Sequence, residues 1–113
     1  MIQVYHNSRC TKSRECLAFL ENSGKEFEII KYLEDVPDKK ELLSILKKLK
    51  TKPIELVRKN EPVWKENFKD KDLSDAEIIA AMLQYPILIE RPIIINGDKA
   101  AVGRPIENAM AII

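Results

Sequence analysis

The sequence is poor in the residues that cross-link chains or bind metals. It contains two cysteines and one histidine among 113 residues, too few for a disulfide framework or a zinc site. The cysteines stand at positions 10 and 16, in a chain whose start lacks the features of an export signal. Such thiols normally stay reduced in the cytoplasm. We predict a cytoplasmic protein with free thiols and no bound metal or cofactor.

The sequence also lacks a large excess of either positive or negative charge, and it lacks a long apolar run. Lys and Arg number 19 against 18 Asp and Glu, so the formal net charge is +1. A chain this balanced lacks the basic surface that nucleic-acid or anionic-membrane binding requires. Its apolar segments are too short to span a bilayer. We predict a monomer with no nucleic-acid or membrane partner.

The first 30 residues have the pattern of a strand, a helix and a second strand. Residues 2–5 and 27–30 are short apolar strand candidates. Apolar residues recur on one side of the segment between them, and Gly24 is placed to end that helix. A strand–helix–strand unit of this kind joins parallel neighbours by a right-handed crossover.

The middle of the chain is predicted to be helical. Two capping boxes, Asp38–Glu41 and Ser74–Glu77, each precede apolar residues at helical spacing. Between them, residues 51–72 are polar and irregular, which predicts short helical turns and loops.

The last 22 residues predict a hairpin followed by a helix. Pro92 opens a strand, Asn96-Gly97 is a hairpin turn signal, and residues 99–102 should return antiparallel. Pro105 suits the first turn of a final helix, which would place four apolar residues on one face: Ile106, Ala109, Met110 and Ile113. The element order predicts a single α/β domain over residues 1–113, with a thioredoxin-like (glutaredoxin-like) three-layer fold, a mixed four-stranded sheet and a central helical insertion.

Cys10 is the candidate nucleophile because it lies where the first strand passes into the first helix. Unpaired N–H groups at a helix start stabilise a thiolate, and Arg9, Lys12 and Arg14 add positive charge. The same amides could bind an oxyanion. The alternative, a small buried hydrophobic residue, is the usual state of a free cysteine.

The other two candidate groups leave more than one interpretation open. Cys16 falls on the apolar side of the first helix, which indicates core packing, with a resolving thiol as the alternative. His6 precedes Cys10 by four residues and could help to stabilise its thiolate, or it could simply satisfy the turn. Position 13 is a serine, so the C-x-x-S segment lacks the second thiol of a dithiol oxidoreductase.

Three arginines stand near predicted turns or strand ends, at positions 58, 91 and 104. Guanidinium groups bind tetrahedral oxyanions bidentately, so arginines grouped around a thiolate would form an anion pocket. Solvated surface charge is the ordinary alternative for each of them.

Five segments in this order resemble one family, the glutaredoxin-coupled arsenate reductases of the ArsC type, which also includes Spx-like regulators. The segments are Tyr5–Arg14, Lys31–Glu34, Leu56–Lys59, Pro86–Ile93 and Gly103–Pro105. The resemblance implies a nucleophilic Cys10 that attacks arsenate, with glutathione as co-substrate and glutaredoxin as the regenerating partner.

The resemblance also implies roles for individual residues. His6 would lower the pKa of the thiol, and Pro92 would be the cis-proline that faces the nucleophile. Three arginines would bind the oxyanion, together with two residues of the active-site loop: Arg58, Arg91, Arg104, Asn7 and Ser13. Two alternatives stay open, a general glutathione-dependent thiol-disulfide oxidoreductase and a regulator that binds RNA polymerase. Ser13 argues against the regulator, because Spx proteins carry C-x-x-C.

Overall fold

The structure, a computed structural model, describes residues 1–113. The chain divides into two compact units: a sheet unit, Met1–Asp35 with Arg91–Ile113, and a helical unit, Val36–Glu90. The single domain over residues 1–113 stays a prediction.

Four strands and five helices follow one another in the predicted order. They are β1 (Ile2–Tyr5), α1 (Thr11–Asn22), β2 (Phe27–Ile30), α2 (Lys39–Leu49), α3 (Pro62–Asn67), α4 (Asp75–Gln84), β3 (Ile93–Asn96), β4 (Lys99–Val102) and α5 (Glu107–Met110). Short 3-10 turns lie at Pro53–Leu56 and Pro86–Leu88. None of these helices is long and apolar enough to cross a membrane.

The sheet unit contains one mixed sheet in the order β2-β1-β3-β4. β1 and β2 are parallel, with Ile2 opposite Phe27 and Tyr5 opposite Ile30. β3 is antiparallel to both β1 and β4. The predicted mixed four-stranded sheet and its parallel first pair are confirmed.

One face of this sheet is covered by α1 and α5. Cys16 and Leu20 of α1 and Ala109 of α5 have no exposed surface and pack against three sheet residues: Ile2, Val4 and Ile94. Burial of an aliphatic side chain contributes about 1.5–3 kcal/mol, so this cluster fixes α1 on the sheet. The start of α1 is held in place with it.

Two details near the C-terminus differ from expectation. The hairpin turn is Gly97-Asp98, because Asn96 still pairs with Lys99. Gly97 has φ +65°, the value that the first turn position of a type II′ hairpin requires. The last helix spans only Glu107–Met110. Ala109 faces the core, and Met110, one position and about 100° further round, is 49% exposed.

The helical unit begins its main helices at the predicted caps. The Asp38 side chain accepts a hydrogen bond from the N–H of Glu41 at the start of α2, and Ser74 and Glu77 form a complete capping box on α4. The buried side chains of α2 and α4, together with Trp64 of α3, form the interior of the unit. Residues 51–72 are turns and short helices, as predicted.

Candidate active site

Cys10 is the residue that precedes the first turn of α1. Its backbone is extended (φ −95°, ψ 122°) and its carbonyl accepts a hydrogen bond from the N–H of Arg14. The loop that leads to it is closed by Asn7, whose carbonyl accepts from the N–H of Cys10 at 3.0 Å. The Asn7 side-chain oxygen accepts from the N–H of Arg9, also at 3.0 Å. Cys10 Sγ is thus held at a helix N-terminus, the position that the sequence predicted.

Buried polar side chains hold the loop that leads to Cys10. The hydroxyl of Ser13 lies 2.7 Å from Nδ1 of His6 and accepts the N–H of Asn7 at 3.1 Å. All three residues are buried. These hydrogen bonds of Asn7 and Ser13 therefore stabilise the conformation of the loop. Their role in substrate binding stays a prediction.

Two arginines from the C-terminal half of the sheet unit act on the thiol. Arg104 donates from Nη2 to Cys10 Sγ at 3.0 Å, across 94 residues of sequence. Its Nε donates to the carbonyl of Arg91 at 2.8 Å, which orients the guanidinium. The Arg91 side chain also hydrogen-bonds Cys10 and contributes its charge.

The pKa of Cys10 is about 7, below its ordinary value. Burial is the largest single influence and raises it, because a thiolate is poorly solvated there. That effect is exceeded by the backbone N–H of Ser13 and by the hydrogen bonds and charge of Arg91 and Arg104. About half of the Cys10 thiol is ionised at pH 7 as a result.

His6 lies at the edge of these interactions. Its visible partner is Ser13, and the groups that lower the pKa of Cys10 are those of Ser13 and the two arginines. Burial, with the charges of Lys31 and Arg14, lowers the pKa of the imidazole itself, which favours the neutral ring. Its part in activating Cys10 stays a prediction.

Cys16 is the opposite kind of thiol. It has no exposed surface in the core under α1, and burial raises its pKa to about 11. Both cysteines are free thiols.

Pro92 and Gly103 pack against each other beside this core. The Arg91–Pro92 peptide bond is cis, and so is Arg104–Pro105. The N–H of Gly103 donates to the carbonyl of Pro92 at 2.8 Å. A Cβ on Gly103 would lie 2.9 Å from Ile94 Cδ1 and 3.0 Å from Pro92 Cγ, so only glycine fits without displacement. Sequence reasoning quoted Gly103 in a motif but did not assign it this role.

Arg58 lies in the helical unit, in a different setting from the other two arginines. Val57 and Ile89 form an antiparallel bridge, flanked by the Arg58 N–H to Leu88 carbonyl and Glu90 N–H to Leu56 carbonyl bonds. Side chains diagonal to each other across such a pair share a face. Arg58 Nη1 accordingly reaches Glu90 Oε1 at 2.8 Å, and its Nε lies 3.4 Å from Glu61 Oε1.

Sequence reasoning missed both of these glutamates. The only local signal was the spacing of Arg58 and Glu61, three residues apart, which permits an ion pair. Elsewhere in the chain, no group of three or more His, Cys, Asp or Glu side chains is placed to hold a metal ion.

The chain matches the model of the ArsC family over residues 5–112. It belongs to the ArsC family. A Haemophilus influenzae protein named arsenate reductase is 45% identical over 112 residues, which are 97% of this chain and 97% of that protein. The Escherichia coli protein named uncharacterized protein YfgD is 42% identical, over 99% of this chain and 96% of that protein.

A solved ArsC structure agrees with the architecture described above. The arsenate reductase from Vibrio cholerae superposes with a TM-score of 0.94 at 42% identity and covers 99% of this chain and 97% of its own. This ArsC chain therefore has the thioredoxin-like α/β fold of its family.

Proposed function

We propose that this protein reduces arsenate through a covalent intermediate on Cys10. The observation that carries the proposal is the position of Cys10 Sγ, at the start of α1 and 3.0 Å from Arg104 Nη2. A thiolate needs neighbouring positive charge to attack a substrate that is itself an anion. The names of the relatives, arsenate reductases among them, support arsenate as that anion.

The chemistry consists of a substitution followed by a reduction. The Cys10 thiolate attacks arsenic, a sulfur–arsenic bond forms, and one arsenate oxygen leaves as water with protons from solvent. A glutathione thiol then enters. Cys10 and glutathione together give up two electrons, arsenic goes from As(V) to As(III), and the sulfurs end as a disulfide. Glutaredoxin reduces that disulfide and returns Cys10 to its thiol.

The sheet unit supplies the groups for the first step. Arg91 and Arg104 stabilise the thiolate and bind the oxyanion as it approaches, because a guanidinium can serve two acceptors at once. His6, Asn7 and Ser13 keep the loop in the shape that presents Cys10. Arg58 is a third oxyanion ligand in this proposal, on the basis of the family resemblance. The protein acts in the cytoplasm, where glutathione is abundant and thiols stay reduced.

The test is steady-state reduction of arsenate with glutathione and glutaredoxin supplied, for the parent chain and for Cys10→Ser. We expect turnover by the parent and a loss on the order of a thousandfold or more in the variant. A parallel assay with a glutathione mixed disulfide separates the main alternative. Turnover of the disulfide without turnover of arsenate would assign the protein to general thiol-disulfide exchange and refute the proposal.

A further inference from the structure

Two cations of the sheet unit, Arg14 and Lys31, lie beside the loop that leads to Cys10. Neither forms an ion pair with a carboxylate of the chain. The Arg14 guanidinium donates from Nη1 to the Ser8 carbonyl at 3.4 Å and from Nη2 to Thr11 Oγ1 at 3.2 Å. Both acceptors are neutral, so they orient the exposed guanidinium and leave its charge uncompensated. A guanidinium has five N–H donors, so others stay available for a ligand.

The second cation, Lys31, follows β2 in the same way as His6 follows β1. The two strands are parallel, with Tyr5 opposite Ile30, and the N–H of His6 donates to the Ile30 carbonyl at 2.8 Å. The carboxyl ends of both strands therefore meet at one edge of the sheet. This edge is where open α/β sheets bind their ligands, and Lys31 is exposed there.

The charges of Arg14 and Lys31 act on the same imidazole. Each of them lowers the pKa of His6, and no carboxylate is among the groups that shift it. Both cations therefore lie within electrostatic range of one ring, although one belongs to α1 and the other follows β2. Glu15, the carboxylate next to Arg14 in sequence, pairs with Lys12 at 3.6 Å instead. The sheet unit thus offers uncompensated positive charge on one side of the loop.

We propose that Arg14, assisted by Lys31, binds a carboxylate of the thiol co-substrate and so selects an acidic thiol such as glutathione over an uncharged one. This inference rests on the proposed function, in which a glutathione thiol enters after Cys10 has attacked arsenate. Arg91 and Arg104 serve the thiolate and the oxyanion in that reaction, so the carboxylates of glutathione require other cations. Arg14 suits one of them, because its neutral contacts already orient the guanidinium before the ligand arrives.

The test measures one exchange step at Cys10 that involves no arsenate. Cys10 is first converted to its mixed disulfide with pyridinethiol, a neutral leaving group that does not compete for the cations. The glutathione thiolate then attacks Cys10 Sγ and forms a new disulfide with it. Pyridinethiol leaves with the electron pair of the broken disulfide and takes up a proton. The glutathione sulfur is oxidised and the pyridinethiol sulfur is reduced, and the absorbance of the released thiol gives the rate.

Each protein would react with glutathione and with glutathione diethyl ester, which has a thiol in the same position and no free carboxylate. The ratio of the two rates would be compared among the parent, Arg14→Gln, Arg14→Lys and Lys31→Gln. The matched control is Arg9→Gln, which removes the same charge from an exposed residue of the same loop. Arg9 forms its hydrogen bond through the backbone, and its charge is not among those that act on His6.

We expect Arg14→Gln to lower the ratio about fivefold and Lys31→Gln about twofold, which is the range measured for exposed ion pairs. Arg14→Lys should lie between the parent and Arg14→Gln, because it keeps the charge and loses the planar fork of donors. Arg9→Gln should match the parent. The rate with the diester should be the same in all of these proteins.

A ratio for Arg14→Gln that equals the parent's would overturn the inference. An equal loss of rate with glutathione and with the diester would also overturn it, because Arg14 would then only maintain the shape of the loop. An equal fall of the ratio in Arg9→Gln would do the same, since it would show a general effect of charge. If Arg14→Gln fails to fold, Lys31→Gln decides by the same criteria. Absence of arsenate turnover by the parent, with the exchange results as expected, would refute the proposed function and leave the selection of the thiol in place.

Discussion

The two cysteines of this protein lie six residues apart, at the start of α1 and on its buried face, and their chemistry is opposite. Cys10 Sγ accepts a hydrogen bond from Arg104 and its pKa is about 7. Cys16 is surrounded by Val4, Leu20 and Ile94 and has a pKa of about 11. Both are nearly inaccessible to water, and burial raises the pKa of each thiol. At Cys10 the hydrogen-bond donors and positive charge of its neighbours exceed that effect, whereas Cys16 has apolar contacts.

The largest expected effect is the difference between the rates at which the two thiols react with an alkylating reagent. At pH 7 the ionised fractions differ by nearly four powers of ten, and the greater intrinsic nucleophilicity of the more basic thiolate offsets about two of these. We expect iodoacetamide to modify Cys10 roughly a hundredfold faster than Cys16, with the Cys10 rate rising through a midpoint near pH 7. Mass spectrometry of peptides from timed samples would measure both rates. Equal rates would show that the contrast does not exist in solution.

Removal of one arginine should make Cys10 more like Cys16. Arg104→Ala deletes the hydrogen bond to Sγ, and a charge-assisted bond contributes about 1.5–3 kcal/mol. The pKa of Cys10 should rise, and kcat/KM for arsenate should fall about ten- to a hundredfold. The control is Arg9→Ala, on the same loop but exposed and not among the groups that lower the thiol pKa; it should cost about twofold or less. Similar losses in both variants would indicate a general effect of charge.

The stability of the protein should pass through a maximum near pH 9. The pKa of Cys10 is lowered on folding from 9.0 to about 7, so between these values the unfolded chain binds more protons and stability rises with pH, by about 2–3 kcal/mol. The pKa of Cys16 is raised from 9.0 to about 11, so between pH 9 and 11 the folded chain binds more protons and a similar amount is lost.

Urea unfolding between pH 6 and 11 would measure these two slopes. The Cys10→Ser variant should lose the rise between pH 7 and 9 and keep the later fall, and Cys16→Ser should do the reverse. Subtraction from the parent curve removes the contribution of the other groups that titrate in this range. If the two substitutions shift the curve of unfolding free energy against pH without changing its slopes, the assigned pKa values are contradicted.

Gly103→Ala should have the smallest of these four predicted effects, and it should change the surroundings of both thiols. The added methyl group would approach Ile94 and Pro92 to 3.0 Å or less and Cys16 Sγ to 3.4 Å. Crowding of a packed core costs about 1–3 kcal/mol, and Arg104, the next residue, would shift away from Cys10. We expect a lower Tm and slower alkylation of Cys10. The control is Ala100→Gly, a change between the same two residue types on β4, which should leave the alkylation rate of Cys10 unchanged. A Gly103→Ala protein with the parent's Tm and alkylation rate would show that the gap tolerates a side chain.

Local sequence determined much of this molecule. Short apolar strands, the caps at Asp38 and Ser74 and the position of Cys10 at the start of a helix depend on interactions within a few residues, and all appear where they were predicted. The errors were local as well. The hairpin turn lies one residue later than its signal, because strand pairing continues through Asn96. Met110 is exposed because it lies on a different side of α5 from the buried Ala109.

The partners of charged groups were decided by the tertiary structure. Arg104 meets Cys10 across 94 residues, and Arg58 meets Glu90 across 32. Neither contact could be inferred from the spacing of residues along the chain. The first depends on how β3 and β4 are placed beside β1, and the second on the bridge between Val57 and Ile89. Sequence established which thiol lies at a helix start. Folding established which arginine acts on that thiol and which is neutralised by carboxylates, because electrostatic interactions depend on separation in space rather than along the chain.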